Sequence, residues 1–389
     1  MEPGRLSRIR RAMEEEGIDV LICRNPENVL YVSGYWPVTG WSLAVLPLDG
    51  EPTLIVPVSE LDYAREGWVR DIRAYETERL DKLWNPYKHM GDILASLGLP
   101  RGVKVGCELG IETTATNSVV GEVNYAGKPT FDLIENVLNA ELVDASEMLT
   151  RLRMVKSNYE VSKMEVAAEL AGLAMEKLLE HLVEGVRECE LAASAETAVY
   201  GLGVGFKGAK RARGFAFVMS GVNSSRAWYP FNISTDRRIR RGDVVLLEFN
   251  VCVDGYWVDF TRTWVLGKPS REQEDMFTTL VEAQERVYRF ESPGLSASAV
   301  DGFARSLIAE RGYSKLFPHR LGHGIGLRIH EAPDIHPASR DTLVKGVVHT
   351  VEPGLYTSRF GIRLEDIVVV KDKGIRNLFD GFKDLNIRK

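Results

Sequence analysis

The segment that runs from Val244 to Asp259 constrains the fold more than any other part of this sequence. Its two apolar arms are separated by Asp254-Gly255, a dipeptide typical of the tight turn of a β-hairpin. Each arm carries one carboxylate, Glu248 or Asp259, and we expect these two groups to lie roughly opposite each other. A carboxylate inside an apolar strand is costly to bury unless a cation or a proton compensates its charge. The hairpin therefore predicts a metal ion beside the two groups, or else a strongly raised pKa for one of them.

A cluster of histidines follows further along the chain. Four of the seven histidines lie within eighteen residues, namely His319, His323, His330 and His336. His323 stands between two glycines, and we expect its backbone to approach a ligand closely. His330 follows on the same strand-like stretch with the opposite parity. This spacing favours a neighbour of a metal ion over a ligand for His330.

Two further acidic positions share the surroundings of Glu248, because Glu352 and Glu365 each end or interrupt an apolar strand. Together with Asp259 and His323, these residues offer four carboxylates and one imidazole. Such a donor set suits a pair of divalent first-row ions such as Mn, Co, Fe or Zn better than magnesium or calcium alone. A two-metal site can ionise a water molecule and stabilise the oxygen that becomes negative when a carbonyl is attacked.

The length of the chain predicts two domains, because 389 residues exceed what one hydrophobic core usually supports. Residues 1–150 alternate helical and strand patterns, which predicts an α/β domain with a mixed or parallel sheet. Its predicted elements are a helix at 6–16 and strands at 20–23, 41–48 and 53–56. Residues 151–389 group their hairpins and helices, which predicts an α+β domain. This domain opens with a long amphipathic helix whose start carries Ser157 and Glu160, the pattern of a capping box, and it includes a strand at 362–370.

The composition excludes several classes of protein. A formal net charge of −6 argues against a nucleic-acid or anionic-membrane partner, since such proteins normally carry a basic excess. The four cysteines are scattered without CxxC spacing, so they predict neither a thiolate zinc site nor a redox pair. The first eighteen residues contain four arginines and three consecutive glutamates instead of an apolar core, so no secretion signal is predicted. We therefore expect a cytoplasmic protein.

Read in order, the motifs at 242–263, 319–333, 350–356 and 361–366 resemble those of the superfamily of Xaa-Pro peptidases (aminopeptidase P and prolidase), methionine aminopeptidases and creatinases. The N-terminal half is similar to the creatinase-type N-terminal domain. The resemblance implies an α+β protein in which a pita-bread catalytic domain, residues 151–389, follows a creatinase-like α/β domain, residues 1–150. It also implies a homodimer.

The resemblance implies a role for each matching residue. The metal ligands would be Glu248, Asp259, His323, Glu352 and Glu365, with Asp259 and Glu365 bridging two divalent ions. Catalytic roles would fall to His330 and Glu352, His330 moving a proton or steadying the tetrahedral intermediate. Arg363 and Asp366 would orient ligands.

Three positions depart from the pattern of the family. Glu248 stands where aspartate is usual, Trp228 where a catalytic histidine is usual, and Asp334 where dipeptide-cleaving members tend to have an arginine. We expect Trp228 and Asp334 to contact the substrate, with Arg328 as a replacement cation if its side chain turns inward. The negative charge of Asp334 predicts that free Xaa-Pro dipeptides are poorer substrates than longer peptides or amides.

Three functions fit these residues. The leading hypothesis is an Xaa-Pro peptidase that uses a hydroxide bound to two metal ions, because all five ligand positions keep competent side chains. The second is a creatinase-like hydrolase of a small non-peptide amide or amidine, which the substitutions Trp228 and Asp334 favour. The third is a non-catalytic binding homologue, for which lost ligands would be the expected sign. The expected partners are a peptide or small amide substrate and a second copy of the chain.

Overall fold

The structure of the protein is a computed structural model that describes residues 4–76, 85–110, 112, 126–228 and 233–387. The described residues form two compact units, one ending at Arg153 and the other beginning at Met154. The division predicted at residue 150 stays a prediction. Within the described part of the chain, no helix combines the length and the apolar character needed to cross a bilayer.

The first unit is built on a six-stranded mixed sheet with the strand order β4-β3-β2-β1-β5-β6. Its strands are β1 (Val20–Cys23), β2 (Leu43–Pro47), β3 (Thr53–Pro57), β4 (Asp71–Tyr75), β5 (Lys104–Cys107) and β6 (Glu141–Asp144). Its helices are α1 (Arg5–Glu16), α2 (Pro26–Ser33), α3 (Leu61–Ala64), α4 (Pro86–Ser96), α5 (Lys128–Leu138) and α6 (Ser146–Met154), the last ending at the division. Strands β1 and β5 are parallel, whereas β1 and β2 are antiparallel. The α/β character and the mixed sheet predicted from the sequence are confirmed.

The second unit contains four α-helices and three sheets among its described residues. The helices are α7 (Asn158–His181), α8 (Glu188–Gly203), α9 (Arg271–Phe290) and α10 (Ala297–Glu310). The strands are β7 (Ala212–Ser220), β8 (Val244–Val253), β9 (Tyr256–Leu266), β10 (Gly322–Gly324), β11 (Glu331–Ile335), β12 (Val348–Val351), β13 (Gly354–Tyr356), β14 (Gly361–Arg363), β15 (Asp366–Val370), β16 (Ile375–Asn377) and β17 (Asn386–Ile387). They form sheets of order β17-β9-β8-β7, β11-β10-β12-β15-β16 and β13-β14.

Helix α7 begins as the sequence predicts. The Ser157 side chain accepts a hydrogen bond from the Glu160 amide, and the Glu160 side chain accepts one from the Ser157 amide. This reciprocal capping box satisfies amide groups that no helical carbonyl can reach. The apolar face of the helix, which includes Met164, Ala171 and Leu178, is buried and packs against β8 and β9.

The hairpin of β8 and β9 sets the position of the acidic residues. Its turn residues Asp254 and Gly255 both have positive φ, at 50° and 92°, as a type I′ turn requires. This turn fixes a register in which Glu248 faces Thr261 and Asn250 faces Asp259. Glu248 and Asp259 are therefore diagonal neighbours rather than directly opposite residues. Since opposite residues of an antiparallel pair project to the same side, all four side chains share one face.

The hairpin of β8 and β9 also contacts the segment that lies between β14 and β15. A backbone bridge links Thr261 of β9 to Glu365. The continuous strand predicted at 362–370 is wrong, because the chain leaves β14 after Arg363 and enters β15 only at Asp366. Glu365 thus lies between β14 and β15, and its backbone pairs with Thr261 of the hairpin.

Candidate metal centre

Three buried side chains from separate elements meet in the second unit. Asp259 comes from β9, His323 from β10 and Glu365 from the break between β14 and β15. One potential ligand atom from each lies within 4.8 Å of the others, and all three residues are buried. The structure thus brings together three of the five ligands predicted from the sequence in one tight group.

Glu352 adjoins this group. Its Oε1 lies 3.3 Å from Nε2 of His323, and Oε1 of Glu365 lies 4.0 Å from the same nitrogen. The hydroxyl of Thr350 donates a hydrogen bond to Oε1 of Glu352 at 3.1 Å. Four of the five predicted ligands are therefore close together, with the carboxylates of Asp259, Glu352 and Glu365 near the His323 ring.

The glycines beside His323 serve the packing of strands. A Cβ atom on Gly322 would overlap the carbonyl of Thr350, and one on Gly324 would overlap the carbonyl of Ala332. A close backbone approach is present, here to the backbones of neighbouring strands, and the approach to a ligand stays a prediction. This close packing is what brings His323 next to β12 and so to Glu352.

The electrostatics of the centre favour the forms that bind a cation. Burial is the main cause that lowers the pKa of His323 well below its usual value, and the nearby His330 and Arg320 add to it. The imidazole is therefore neutral, which is the form that coordinates a metal. Burial, followed by the charge of Glu365, raises the pKa of Glu352 well above its ordinary value. A divalent ion among these carboxylates would offset that penalty and keep them ionised.

The residues present fit a divalent metal ion. Carboxylate and imidazole donors from three chain segments converge within a few ångströms, as a coordination site requires. Oε1 of Glu365 is buried and has no hydrogen-bond partner among the residues that the structure describes. An acceptor oxygen in that situation is suited to a cation, because leaving it unsatisfied costs free energy.

Glu248 is placed differently from the other four predicted ligands. Its carboxylate forms an ion pair with the guanidinium of Arg363, and both side chains are almost fully buried. Arg363 also donates to the Thr261 hydroxyl at 2.9 Å and to the Ala227 carbonyl at 3.0 Å, so its position is fixed from several sides. The additional methylene of glutamate carries the carboxylate to this cation. As a consequence, Glu248 lies outside the tight group of Asp259, His323 and Glu365.

A layer of hydrogen bonds supports the ligands from behind. Thr261 donates to Oε2 of Glu365 at 2.7 Å, and the Arg262 guanidinium donates to the Glu365 carbonyl at 2.7 Å and to Asp366 at 2.6 Å. Gln284 of α9 donates to the carbonyls of Val351 and Leu364, the residues that precede Glu352 and Glu365. Such partners orient ligands and are a regular part of metal sites.

His330 lies beside the centre without belonging to its strand. Its ring centroid is 4.3 Å from that of His323, with the planes inclined at 57°. The prediction of one continuous stretch is wrong, because β10 ends at Gly324 and a loop leads to His330 just before β11. Burial, with a smaller contribution from Arg320, lowers the pKa of His330 to about 3. The ring is therefore neutral at physiological pH and can donate a single N–H.

The three predicted substrate residues have different surroundings. Trp228 is 38% exposed, and Arg328 is buried. Asp334 faces His323 across the β10–β11 pair and forms an ion pair with Arg320. The negative charge predicted to repel a substrate carboxylate is thus compensated by a cation from the same motif.

Several residues of the centre were missed by sequence reasoning. Arg320 and Gln284 are the clearest cases, since both act on the site from positions that no spacing rule marks. Arg320 is visible in the sequence as a cation inside the histidine cluster, which is a usable signal. Gln284 gives only a weak signal, as a polar residue on the buried face of an otherwise apolar helical pattern.

Comparison with known proteins agrees with this geometry. The model of metallopeptidase family M24 matches residues 162–372, and that of the creatinase/prolidase N-terminal domain matches residues 5–155. The chain belongs to metallopeptidase family M24. The resemblance inferred from the motifs is confirmed, and so is the pita-bread fold of the catalytic domain. Membership in M24 implies the use of divalent metal.

The M24 chain resembles its relatives along almost its full length. It is 31% identical over 376 residues to the Xaa-Pro dipeptidase of Pyrococcus furiosus, covering 96% of this chain and 97% of that protein. The crystal structure of the prolidase from Pyrococcus horikoshii OT3 superposes with a TM-score of 0.79 at 27% identity, covering 97% and 98% of the two chains. The structure of an X-Pro aminopeptidase from Thermotoga maritima superposes with a TM-score of 0.80 at 26% identity, covering 97% of this chain and 100% of that one.

The pairing of Glu248 with Arg363 leads to a first prediction for this M24 protein. We expect Glu248→Asp to raise the affinity for one metal ion by about tenfold, or about 1.4 kcal/mol. The shorter carboxylate retracts from Arg363 and faces the centre as the usual aspartate would. Titration calorimetry of the metal-stripped variant with manganese measures this directly. Equal or weaker binding would show that the backbone has adapted to glutamate.

Proposed function

We propose that this protein is a metal-dependent peptidase that cleaves the bond between any residue and a following proline, using two divalent ions such as manganese, cobalt, iron or zinc. The observation that carries the proposal is the convergence of Asp259, His323, Glu352 and Glu365, with Glu248 and its Arg363 partner beside them. Full-length similarity to an Xaa-Pro dipeptidase, a prolidase and an X-Pro aminopeptidase supports the substrate class. The cytoplasmic location and the homodimer remain predictions.

The residues of the centre have distinct tasks in this proposal. Bound divalent ions supply an activated water molecule and polarise the scissile carbonyl. The Glu352 carboxylate, which lies 3.3 Å from His323 and stays ionised beside a cation, accepts the proton that the attacking water loses. The neutral His330 ring donates its N–H to the oxygen that becomes negative in the transition state. Exclusion of bulk water by the buried strands strengthens both interactions.

The residues at the ligand positions argue against the creatinase-like alternative. In that branch the same fold works without metal, yet here every ligand position keeps a competent side chain and three of the carboxylates lie close to the His323 imidazole. Hydrolysis of a small amide or amidine without metal would therefore contradict the proposed peptidase function.

The proposed specificity is tested with matched peptides. We expect peptides with proline after the scissile bond to be cleaved at least about tenfold better, as kcat/KM, than the same peptides with alanine there. Activity should vanish after treatment with a chelator and return with manganese or cobalt. The released amino acids are measured by chromatography. Equal cleavage of both peptides, or cleavage of amides that survives chelation, would contradict the proposal.

The ion pair between Arg320 and Asp334 governs the preference for chain length. We expect Asp334→Asn to raise kcat/KM for a free Xaa-Pro dipeptide by about tenfold, because Arg320 is released to pair with the substrate carboxylate. The C-terminal amide of the same dipeptide carries no charge there and should be cleaved equally by both proteins. A dipeptide already preferred tenfold over its amide by the unmodified protein would contradict this account and point to Arg328 as the anchor.

A further inference from the structure

Asn250 lies at the centre of the hairpin face that carries the acidic residues. It stands two residues after Glu248 on β8 and directly opposite Asp259 on β9. Side chains in this relation project to the same side, with Cβ atoms about 4.5–5.5 Å apart. The carboxamide of Asn250 is therefore directed toward the same region as the Asp259 carboxylate.

The surroundings of Asn250 offer it little polar contact. The residue is fully buried, and neither its amide oxygen nor its amide nitrogen has a hydrogen-bond partner among the described residues. Its neighbour on β7 is Phe215, which stacks on Trp257 with ring centroids 6.0 Å apart. Burying an amide without hydrogen bonds costs free energy, and contact with a bound ligand or metal ion would offset that cost.

The ion pair of Glu248 with Arg363 limits what the Glu248 carboxylate can bind. A metal ion on the hairpin side of the centre would be shared by Asp259 and Glu365, with Glu248 as its remaining proposed ligand. The Glu248 carboxylate is engaged by Arg363, which reduces its availability to that ion. Carboxamide oxygens are accepted ligands of hard divalent ions, and Asn250 lies directly opposite Asp259 on that face.

We propose that the carboxamide oxygen of Asn250 is a ligand of the metal ion shared by Asp259 and Glu365. A neutral ligand thereby compensates for a carboxylate that Arg363 holds. This inference rests on the proposed metal centre and assigns to it a residue that the family motifs do not mark.

The test uses the full-length protein, stripped by a chelator and titrated with manganese in a calorimeter. We expect Asn250→Leu, a change of similar volume, to weaken binding of one ion by about 10- to 100-fold. The same variant without metal should unfold at an equal or higher temperature, because an unsatisfied amide has been removed. Asn250→Asp should bind that ion more tightly, since it places an anionic oxygen in the same position.

The controls separate this inference from the proposed centre. Thr130→Val removes another buried and, among the described residues, unpartnered side-chain group, and it should leave metal binding unchanged. If His323→Ala loses metal while Asn250→Leu binds normally, Asn250 is no ligand and only this inference fails. If both variants bind normally, the metal centre itself is wrong.

Weaker binding by both Asn250→Leu and Asn250→Asp would identify Asn250 as a hydrogen-bond donor and overturn the ligand role. Should the leucine variant fail to fold, Asn250→Asp decides alone, tighter binding supporting the proposal and unchanged or weaker binding overturning it.

Discussion

Replacing His323 by alanine is expected to remove bound metal and peptidase activity together, lowering kcat/KM by on the order of 10³-fold or more. The ring of His323 lies within 3.3 Å of Glu352 and 4.0 Å of Glu365, so it occupies the middle of the donor set. A catalytic metal contributes several kcal/mol of transition-state stabilisation, and each 1.4 kcal/mol is a factor of ten in rate. Glu365→Ala should behave in the same way, because its Oε1 faces the centre without another described partner.

Both variants should remain folded. The strands around the centre are held by apolar packing and backbone pairing, and Glu365→Ala in addition removes one of several clustered carboxylates and so relieves repulsion. Circular dichroism and thermal unfolding without metal test this point, and metal content is measured by atomic emission. His336→Ala is the matched control, since His336 belongs to the same histidine cluster but is exposed, and it should retain both metal and activity. Normal activity of His323→Ala or Glu365→Ala at saturating metal would remove these residues from the ligand set.

Replacing His330 by alanine should lower kcat by on the order of 10²-fold or more while the metal content stays unchanged. The ring lies next to His323, and burial together with the charge of Arg320 keeps it neutral with a pKa of about 3. A neutral, buried N–H donor stabilises negative charge on an oxygen more strongly than water does. Because the contribution is made mainly in the transition state, kcat should fall more than KM rises.

The matched variant for this position is His330→Gln, whose side-chain amide keeps an N–H donor. We expect it to recover part of the lost turnover, whereas a purely structural role would make both variants equally impaired in stability and little affected in rate. Steady-state kinetics at saturating manganese, together with metal analysis of each preparation, separates these outcomes. Unchanged turnover in His330→Ala would reduce His330 to a structural residue.

The sequence predicts the fold well wherever a local rule applies. The capping box at Ser157, the Asp254-Gly255 turn and the strand at 20–23 agree with the structure, because each depends on a few neighbouring residues. The strand at 362–370 fails, since its interruption at Glu365 is caused by a bridge to Thr261, more than a hundred residues earlier in the chain. A periodicity rule contains no information on such a distant partner.

The residue types of the candidate site can be read from the sequence, whereas their arrangement depends on distant parts of the chain. Asp259, His323, Glu352 and Glu365 stand out as carboxylates and an imidazole within or beside apolar segments, and the structure places them close together. The distinct placement of Glu248 could not be foreseen, because it depends on how far one methylene carries a carboxylate toward Arg363. The Arg320–Asp334 pair likewise depends on the register of β10 against β11.

The most direct test of the account is to titrate the metal-stripped protein with manganese or cobalt while recording both bound metal and the cleavage of an Xaa-Pro peptide. We expect no cleavage without metal, a rise in cleavage as metal binds, and a plateau when about two ions are bound per chain. Cleavage at the full rate in the stripped protein, or a protein that binds no metal at any concentration that supports activity, would contradict it.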